Sequence, residues 1–185
     1  IAHRPSAQPP PGRRLAVAYD SLRQYTVAFG SAGGNDFRTW EWDGQLWIER
    51  KPAGPLPTPM TAVAGFDPRR NRVVLNGGRV NPAAEDWEWD GLSWTRVSTT
   101  APVFTHFATD HRSQRLYGCD RYDLWLRSGT TWQKLPSRQR PSGGVAGLLM
   151  DEATGVLWAL VVGAPYELWA FGASGWVKVL GGLPE

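Results

Sequence analysis

The chain has 185 residues, enough for a sizeable core, since a domain of about 150 residues already removes roughly 70% of its unfolded surface from water. Its single cysteine, Cys119, excludes a disulfide within the chain, and no run of about 18–20 apolar residues predicts a membrane helix. The net charge of +3, from 20 basic and 17 acidic side chains, is too small an excess to favour a nucleic-acid-binding surface.

The first predicted element is an outer β-strand with a proline-rich connector, over residues 1–11. The opening stretch IAHRPSAQPPPGRR resembles IERKPAGPLPTPM at 48–60, which directly follows a tryptophan-rich octet. By this likeness, Ile1 lies within a strand whose own hairpin partner precedes it.

A strand–turn–strand phrase then recurs four times along the chain. In each copy an apolar run ends in aspartate, a polar turn follows, and a second apolar run begins. The copies lie at 15–30, 62–78, 107–119 and 148–163, with the aspartates Asp20, Asp67, Asp110 and Asp151. They recur about every 40–50 residues, which is typical of a repeat architecture. Because aspartate side chains bond to nearby backbone in turns, we predict that these four close turns and have no catalytic role.

Each phrase is followed by an octet bounded by two tryptophans. The octets are WEWDGQLW at 40–47, WEWDGLSW at 87–94, WLRSGTTW at 125–132 and WAFGASGW at 169–176. Their constant length predicts a β-hairpin, and Asp-Gly in the first two is a strong turn signal. The predicted cross-strand pairs are Trp42–Trp47, Trp89–Trp94, Arg127–Trp132 and Phe171–Trp176. Opposed aromatic pairs contribute about 0.2–1 kcal/mol, so we interpret the tryptophans as hairpin staples and not as a sugar or nucleobase site.

Together, a phrase and its octet predict four antiparallel strands. No segment has a sustained helical period, so the predicted fold class is all-β. Four short strands per repeat indicate a β-propeller built from four four-stranded blades, alone or as part of a larger ring. After the segment 1–11, the predicted blades cover 12–54, 55–101, 102–141 and 142–185.

The second repeat carries a family resemblance. GFDPRRNRVVLNGG at 65–78 and EDWEWDGLSW at 85–94 resemble the bacterial kelch repeat, whose strands read roughly AYD..R.RVVLFGG and D.WEWDG..W. The first repeat keeps Asp20, Gly30 and its octet, while the third and fourth keep single glycines, Gly118 and Gly163, and lose the Asp-Gly turn. The resemblance covers 12–185 and implies a kelch propeller like the central domain of galactose oxidase.

Within that resemblance, the galactose oxidase type implies a copper site with a Tyr–Cys thioether, two histidines and an axial tyrosine. Cys119 lies between Tyr117 and Tyr122, and the histidines are His3, His106 and His111. His106 and His111 flank a turn aspartate, so they are expected at different ends of a blade. We therefore predict no metal, no cofactor and no catalytic residue. A degenerate galactose oxidase-like or lyase-type enzyme is the alternative.

Acidic residues before the hairpins are a second candidate for a catalytic site. Asp36, Glu85 and Asp86 could form a carboxylate pair. Acidic residues at the aligned positions Asp123 and Glu167 indicate a structural role instead.

The sequence allows two ways of closing the ring. Either the chain is part of a longer propeller and completes its ring with another chain, or it closes alone with residues 1–4 as an extra edge strand. An unfilled ring would expose two sheet faces, an aggregation hazard unless a partner covers them. We favour the first arrangement, which predicts a protein partner or self-association completing the ring.

The predicted function is a non-catalytic protein-binding or assembly module. In a propeller, the connectors and the loops between second and third strands share a face, and they are the least repeated segments here. Variable loops on a rigid scaffold are where binding residues concentrate. The predicted ligand- or partner-binding residues are Arg13, Arg14, Arg38, Arg79, Asn81, Arg121, Arg138 and Tyr166. The compartment is not fixed by the sequence, and a secreted or cell-surface location is favoured.

Overall fold

The computed structural model describes residues 15–31, 36–58, 61–77, 84–163 and 165–183, which form sixteen β-strands and no helix. The first sheet contains β1 (Ala16–Asp20), β2 (Tyr25–Ser31), β3 (Phe37–Trp42) and β4 (Trp47–Arg50). The second contains β5 (Ala62–Asp67), β6 (Arg72–Gly77), β7 (Ala84–Trp89) and β8 (Trp94–Ala101). The third contains β9 (His106–Asp110), β10 (Arg115–Cys119), β11 (Leu124–Ser128) and β12 (Thr131–Lys134). The fourth contains β13 (Val145–Asp151), β14 (Val156–Val161), β15 (Tyr166–Gly172) and β16 (Gly175–Leu183).

Every sheet is an antiparallel meander in which each strand pairs with the next strand along the chain. The prediction of an all-β chain with four four-stranded sheets is confirmed. The contacts divide the chain into two compact units, 1–101 and 102–185. The first unit holds the first and second sheets, and the second unit holds the third and fourth. The blade boundaries stay a prediction.

The turn between the first two strands of each sheet is closed by the recurring aspartate, as predicted. Asp20 Oδ1 accepts hydrogen bonds from the backbone N–H groups of Leu22 and Arg23, at 3.1 and 3.0 Å. The aspartates of the other three sheets bond in the same way to the backbone of their own turns. The residue four positions after each aspartate has a positive φ. These residues are Gln24, Asn71, Gln114 and Gly155.

The hairpins between the third and fourth strands have the predicted register. The rings of Trp42 and Trp47 lie 5.5 Å apart, and the pairs Trp89–Trp94 and Phe171–Trp176 lie 5.3 and 5.1 Å apart. The Arg127 guanidinium lies 5.0 Å from the Trp132 ring centre, a cation–π contact. All four cross-strand pairs are confirmed. The first two hairpins close with four-residue loops and the last two with two-residue turns.

Each unit has one core, made where its two sheets pack. In the first unit, Ala18, Val27 and Phe29 of the first sheet pack with aromatic and aliphatic residues of the second sheet. Those partners are Phe66, Val73, Leu75, Trp87, Trp89 and Trp94. Because side chains alternate along a strand, the residues between these positions point to the opposite face of each sheet.

The core of the second unit follows the same plan. Ala108, Tyr117, Cys119 and Leu124 of the third sheet pack against the fourth sheet. The fourth sheet contributes Val145, Leu157, Ala159, Val161, Trp169 and Trp176. Within the described residues, no helix is long and apolar enough to cross a membrane.

Candidate functional site

The first sheet has one face that its neighbour in the unit does not cover. Val17 and Tyr19 alternate with the buried Ala16 and Ala18 and are 51% and 52% exposed. The strand register places Tyr19 in one row with Thr26, Trp42 and Trp47, and Val17 in one row with Ala28 and Trp40. We call this surface the open face of the first sheet. Its accessible residues are Val17, Tyr19, Trp42 and Trp47, while Trp40 and Ala28 on the same side of the sheet are buried.

The fourth sheet has a corresponding apolar face. Leu149 is 66% exposed and Leu160 is 37% exposed, and both lie between positions that enter the core of the unit. The register aligns Leu149 with Trp158, Ala170 and Val177, and Leu160 with Leu168. We call this surface the open face of the fourth sheet. Its residues are Leu149, Trp158, Leu160, Leu168, Ala170 and Val177.

The acidic residues before the hairpins are held by structural bonds. Glu85 accepts hydrogen bonds from Trp87 Nε1 at 2.9 Å and from Arg96 at 3.0 Å. Glu167 accepts from Trp169 Nε1 at 2.9 Å and from Lys178.

The remaining acidic positions are bonded as well. Asp86 is buried and accepts from Asn76 Nδ2 at 2.7 Å. Asp123 pairs with Lys134 and Arg140, and Asp36 pairs with Arg38. The structure supports the structural interpretation of these residues.

A set of buried Arg–Glu bonds was missed by the sequence reasoning. Glu41 is fully buried and accepts hydrogen bonds from Arg23 at 2.6 Å, Arg50 at 2.7 Å and Trp89 Nε1 at 2.9 Å. Glu88 likewise accepts two bonds from Arg70, at 2.9 and 2.8 Å. Arg70 is therefore a structural residue of the second sheet.

A signal for these bonds was present in the sequence. An arginine lies three residues after the turn aspartate only in the first and second repeats, which are also the repeats with a glutamate, Glu41 or Glu88, as the second residue of the octet. Where Leu126 and Ala170 occupy the glutamate position, the turn carries Ser113 or Thr154, whose hydroxyl bonds to the turn aspartate. The two positions therefore change together from repeat to repeat.

The candidate metal-binding side chains are placed apart. His106 begins β9 and contacts Thr105 Oγ1 and the Ala146 carbonyl at 3.0 and 3.1 Å, and burial lowers its pKa. His111 lies in the turn at the other end of β9. Cys119 is fully buried, and burial raises the pKa of its thiol to about 12. Among the residues that the structure describes, no group of three or more His, Cys, Asp or Glu could hold a metal ion. His3 lies outside those residues.

Arg38 is the predicted binding residue that the structure places in the first unit. Its guanidinium bonds to Asp36 at 2.7 Å and approaches Glu49 at 3.5 Å. It lines a cavity of about 450 Å³ together with Glu49, Arg50, Lys51 and Leu56.

Arg121 and Tyr166 belong to one end of the second unit. The Arg121 guanidinium lies 5.5 Å from the Tyr122 ring centre, in the loop between β10 and β11. A Cβ atom at Gly144 would be 3.9 Å from Arg121 Nε, and the Gly144 carbonyl accepts a bond from the N–H of Val162 at 2.9 Å. The connector at 142–144 therefore lies beside both loops that join second and third strands, and the second of these loops ends at Tyr166.

Arg138 lies in a different place from Arg121. It lines a second cavity of about 450 Å³ with Pro136, Ser137, Ala173 and Ser174, at the turn between β15 and β16. The Ser137 hydroxyl accepts a hydrogen bond from the Trp176 N–H at 2.8 Å, which fixes this part of the connector against the hairpin. The connector thus reaches the hairpin end of the blade as well as the loop end. Arg13, Arg14, Arg79 and Asn81 lie outside the described residues.

Comparison with known proteins identifies the fold and no family. No protein-family model matches the chain, and no curated protein matches it. The structure is similar to the SapL1 lectin solved with alpha methyl fucoside, with a TM-score of 0.59 and 15% identity over 92% of this chain and 62% of that one. It is similar to an arginine-to-alanine mutant of AofleA from Arthrobotrys oligospora, with a TM-score of 0.56 and 13% identity over 91% and 57%. A chain of a nidogen/laminin complex matches with a TM-score of 0.52 and 16% identity over 84% and 57%.

These similarities show the fold alone. The matched structures are of the β-propeller type, and the four-stranded sheets of this chain share that fold. The chain spans less than two thirds of the length of each matched protein. Membership of the kelch repeats stays a prediction.

Proposed function

We propose that the chain is a non-catalytic, kelch-type propeller module for protein binding and assembly. The observation that carries this proposal is the pair of open faces on the first and fourth sheets. Val17 and Tyr19 lie on β1, and Leu149 and Leu160 lie on β13 and β14. The equivalent residues of the other sheet in each unit, Ala64 and Phe66 in the second sheet and Ala108 and Cys119 in the third, pack in the cores.

The chemistry of these faces supports a protein partner. Large exposed apolar patches mark interaction surfaces, and aromatic residues are enriched in protein–protein interfaces. Tyr19, Trp42 and Trp47 supply the aromatic part on the first sheet, and Leu149 and Leu160 supply aliphatic surface on the fourth. Completion of the ring by a protein partner or by self-association is the second part of the proposal.

The loop residues are proposed to contribute specificity. Arg121 and Tyr166 lie near one connector. Arg38 lines a cavity with Arg50 and Lys51, and the carboxylates Asp36 and Glu49 line the same cavity. Arginine forks suit carboxylate groups of a partner. Arg138 lines the separate cavity at the fourth sheet. The acidic side chains before the hairpins, which an enzyme could use as a carboxylate pair, are bonded to Arg, Lys, Trp or Asn, which supports a binding role.

The mass of the purified chain in solution, measured by sedimentation over a wide dilution series, tests the proposal together with its copper content and an oxidase assay. We expect concentration-dependent association with itself or with an added partner, and no turnover. Stoichiometric copper with oxidase activity would overturn the proposal in favour of the degenerate enzyme.

A further inference from the structure

We infer that the open face of the fourth sheet in one copy packs on the open face of the first sheet in a second copy, in a head-to-tail contact. This inference rests on the proposed function and names the partner as the chain itself. Two faces of one chain that match in this way form a heterologous contact, which produces a ring if it closes and a polymer if it does not.

The first argument is the position of the exposed residues on the first sheet. In the second and fourth sheets, the residues one and three positions before the turn aspartate pack toward the preceding sheet of the same unit. These are Phe66 and Ala64 in the second sheet, and Met150 and Leu148 in the fourth. The same positions in the first sheet are Tyr19 and Val17, which are exposed. The first sheet therefore presents the face that receives a preceding sheet.

The second argument is the complementary placement on the fourth sheet. In the first and third sheets, the residues two positions before and nine positions after the turn aspartate pack toward the following sheet. They are Ala18 and Phe29 in the first sheet, and Ala108 and Cys119 in the third. The same positions in the fourth sheet are Leu149 and Leu160, both exposed. The fourth sheet therefore presents the face that receives a following sheet.

The chemistry of the two faces fits that pairing. Within each unit, the face that receives a preceding sheet supplies the large tryptophans of the octet, and the other face supplies smaller apolar residues. The open face of the first sheet has the accessible Trp42 and Trp47, and the open face of the fourth sheet has Leu149, Leu168 and Ala170 beside a single tryptophan, Trp158. A contact between two copies would therefore repeat the sheet packing already present twice in the chain.

The experiment uses one variant for each face. The fourth-sheet variant carries Leu149→Glu and Leu160→Glu, and the first-sheet variant carries Val17→Glu and Tyr19→Glu. Leu92→Glu is the control, because Leu92 is an 80% exposed leucine in the β7–β8 hairpin loop of the second sheet and is not a residue of either open face. Circular dichroism and the melting temperature confirm that each variant folds, and the serine variants at the same positions replace any glutamate variant that does not.

Sedimentation of each variant alone and of the two mixed in equal amounts gives the result. We expect the wild-type chain and the control to associate, each face variant alone to be monomeric, and the mixture to form a 1:1 dimer through its one intact pair of faces. A wild-type chain that stays monomeric at all concentrations overturns the inference, while the proposed function stands if that chain lacks copper and oxidase activity. Loss of association in one face variant only, with no dimer in the mixture, overturns it in favour of a symmetric contact.

Discussion

The two units pack their sheets with the same aromatic positions and with different polar chemistry. In the first unit, two indole N–H groups of the second sheet donate to the first sheet. Trp89 Nε1 bonds to Glu41 at 2.9 Å, and Trp94 Nε1 bonds to Thr39 Oγ1 at 2.8 Å. Each bond fixes the rotation of a buried ring as well as its position.

In the second unit the aligned contacts are apolar. Phe171 and Trp176 occupy the hairpin positions of Trp89 and Trp94, and the acceptor positions are taken by leucines of the third sheet, Leu126 and Leu124. Trp176 is 1% exposed, and its Nε1 atom has no hydrogen-bond partner among the residues that the structure describes.

The comparison teaches that the repeat preserves shape more strictly than it preserves bonding. Large rings fill the same place in both units because a void there would cost packing energy. The hydrogen bonds vary, since replacing both partners of a buried bond by apolar groups is nearly neutral, whereas removing one partner is costly. Phe171 with Leu126 is a complete replacement, and Trp176 with Leu124 is a partial one.

The largest expected loss of stability comes from a substitution that disrupts the polar contacts between the two sheets of the first unit. Glu41→Gln preserves the shape of the side chain but removes the charge that Arg23, Arg50 and Trp89 contact. Hydrogen bonds to charged groups contribute about 1.5–3 kcal/mol, so we expect the free energy of unfolding to fall by about 2–3 kcal/mol. Chemical denaturation measures it.

The control for that prediction lies at the aligned position of the second unit. Leu126→Met conserves volume in an apolar setting and should cost less than about 1.5 kcal/mol. Equal losses in the two variants would mean that the buried Glu41 bonds add nothing beyond packing, contrary to the comparison.

A second, smaller loss of stability is expected at the matched tryptophans Trp94 and Trp176, one in each unit. Trp94→Phe and Trp176→Phe remove the same atoms from buried positions, so their packing losses should be similar. Trp94→Phe also leaves Thr39 without its Trp94 donor, whereas Trp176→Phe removes an N–H group that has no acceptor within the described part of the chain. We expect Trp94→Phe to lower the free energy of unfolding by about 1–3 kcal/mol more than Trp176→Phe.

Denaturant midpoints of the two variants, each against the wild-type chain, measure this difference. Thr39→Val is the matched control, because it removes the acceptor and leaves the Trp94 ring in place. A Trp176→Phe variant that is as destabilised as Trp94→Phe would show that ring volume alone sets the stability of both units.

Much of the local structure could be predicted because it depends on residues close in sequence. The turn aspartates bond to backbone two and three residues on, and the Trp42–Trp47 pair follows from the length of its loop. Both features depend only on residues a few positions apart, so the sequence is enough to predict them. The sequence predicted two exposed sheet faces only for a ring that the chain does not fill, since a repeat that stacks on neighbours has two ends. Completion of the ring stays a prediction.

The remaining features could not be predicted because they depend on contacts between residues that are distant in sequence. The bond from Trp89 to Glu41 joins two repeats. Arg23 donates to Asp20 in its own turn and also to Glu41, which lies in the following hairpin. The position of Arg138 could not be predicted from the sequence either, because a hydrogen bond from the Trp176 N–H to the Ser137 hydroxyl holds this part of the connector against the hairpin. Propensity and turn chemistry contain no information on such contacts, and only the paired change of arginine and glutamate between repeats indicates the Arg23–Glu41 bond.

The smallest expected effect compares the turns of the two units through pH. In the second unit, the hydrogen bond from the Thr154 hydroxyl, together with backbone bonds, lowers the pKa of Asp151. In the turns of the first unit, arginines occupy the place of this hydroxyl. A carboxylate with a lowered native pKa stabilises the fold above its unfolded pKa of about 3.9, and that stability is lost as the pH falls through the native value.

Thr154→Val removes the hydroxyl and should return the pKa of Asp151 toward its ordinary value. We expect the variant to melt slightly below the wild-type chain at neutral pH, and the difference in melting temperature to shrink as the pH falls below about 3.9. Thr154→Ser preserves the hydroxyl and should follow the wild-type curve throughout. A difference that is the same at every pH would show that the methyl and hydroxyl groups act through packing, and that the charge of Asp151 contributes nothing to this turn.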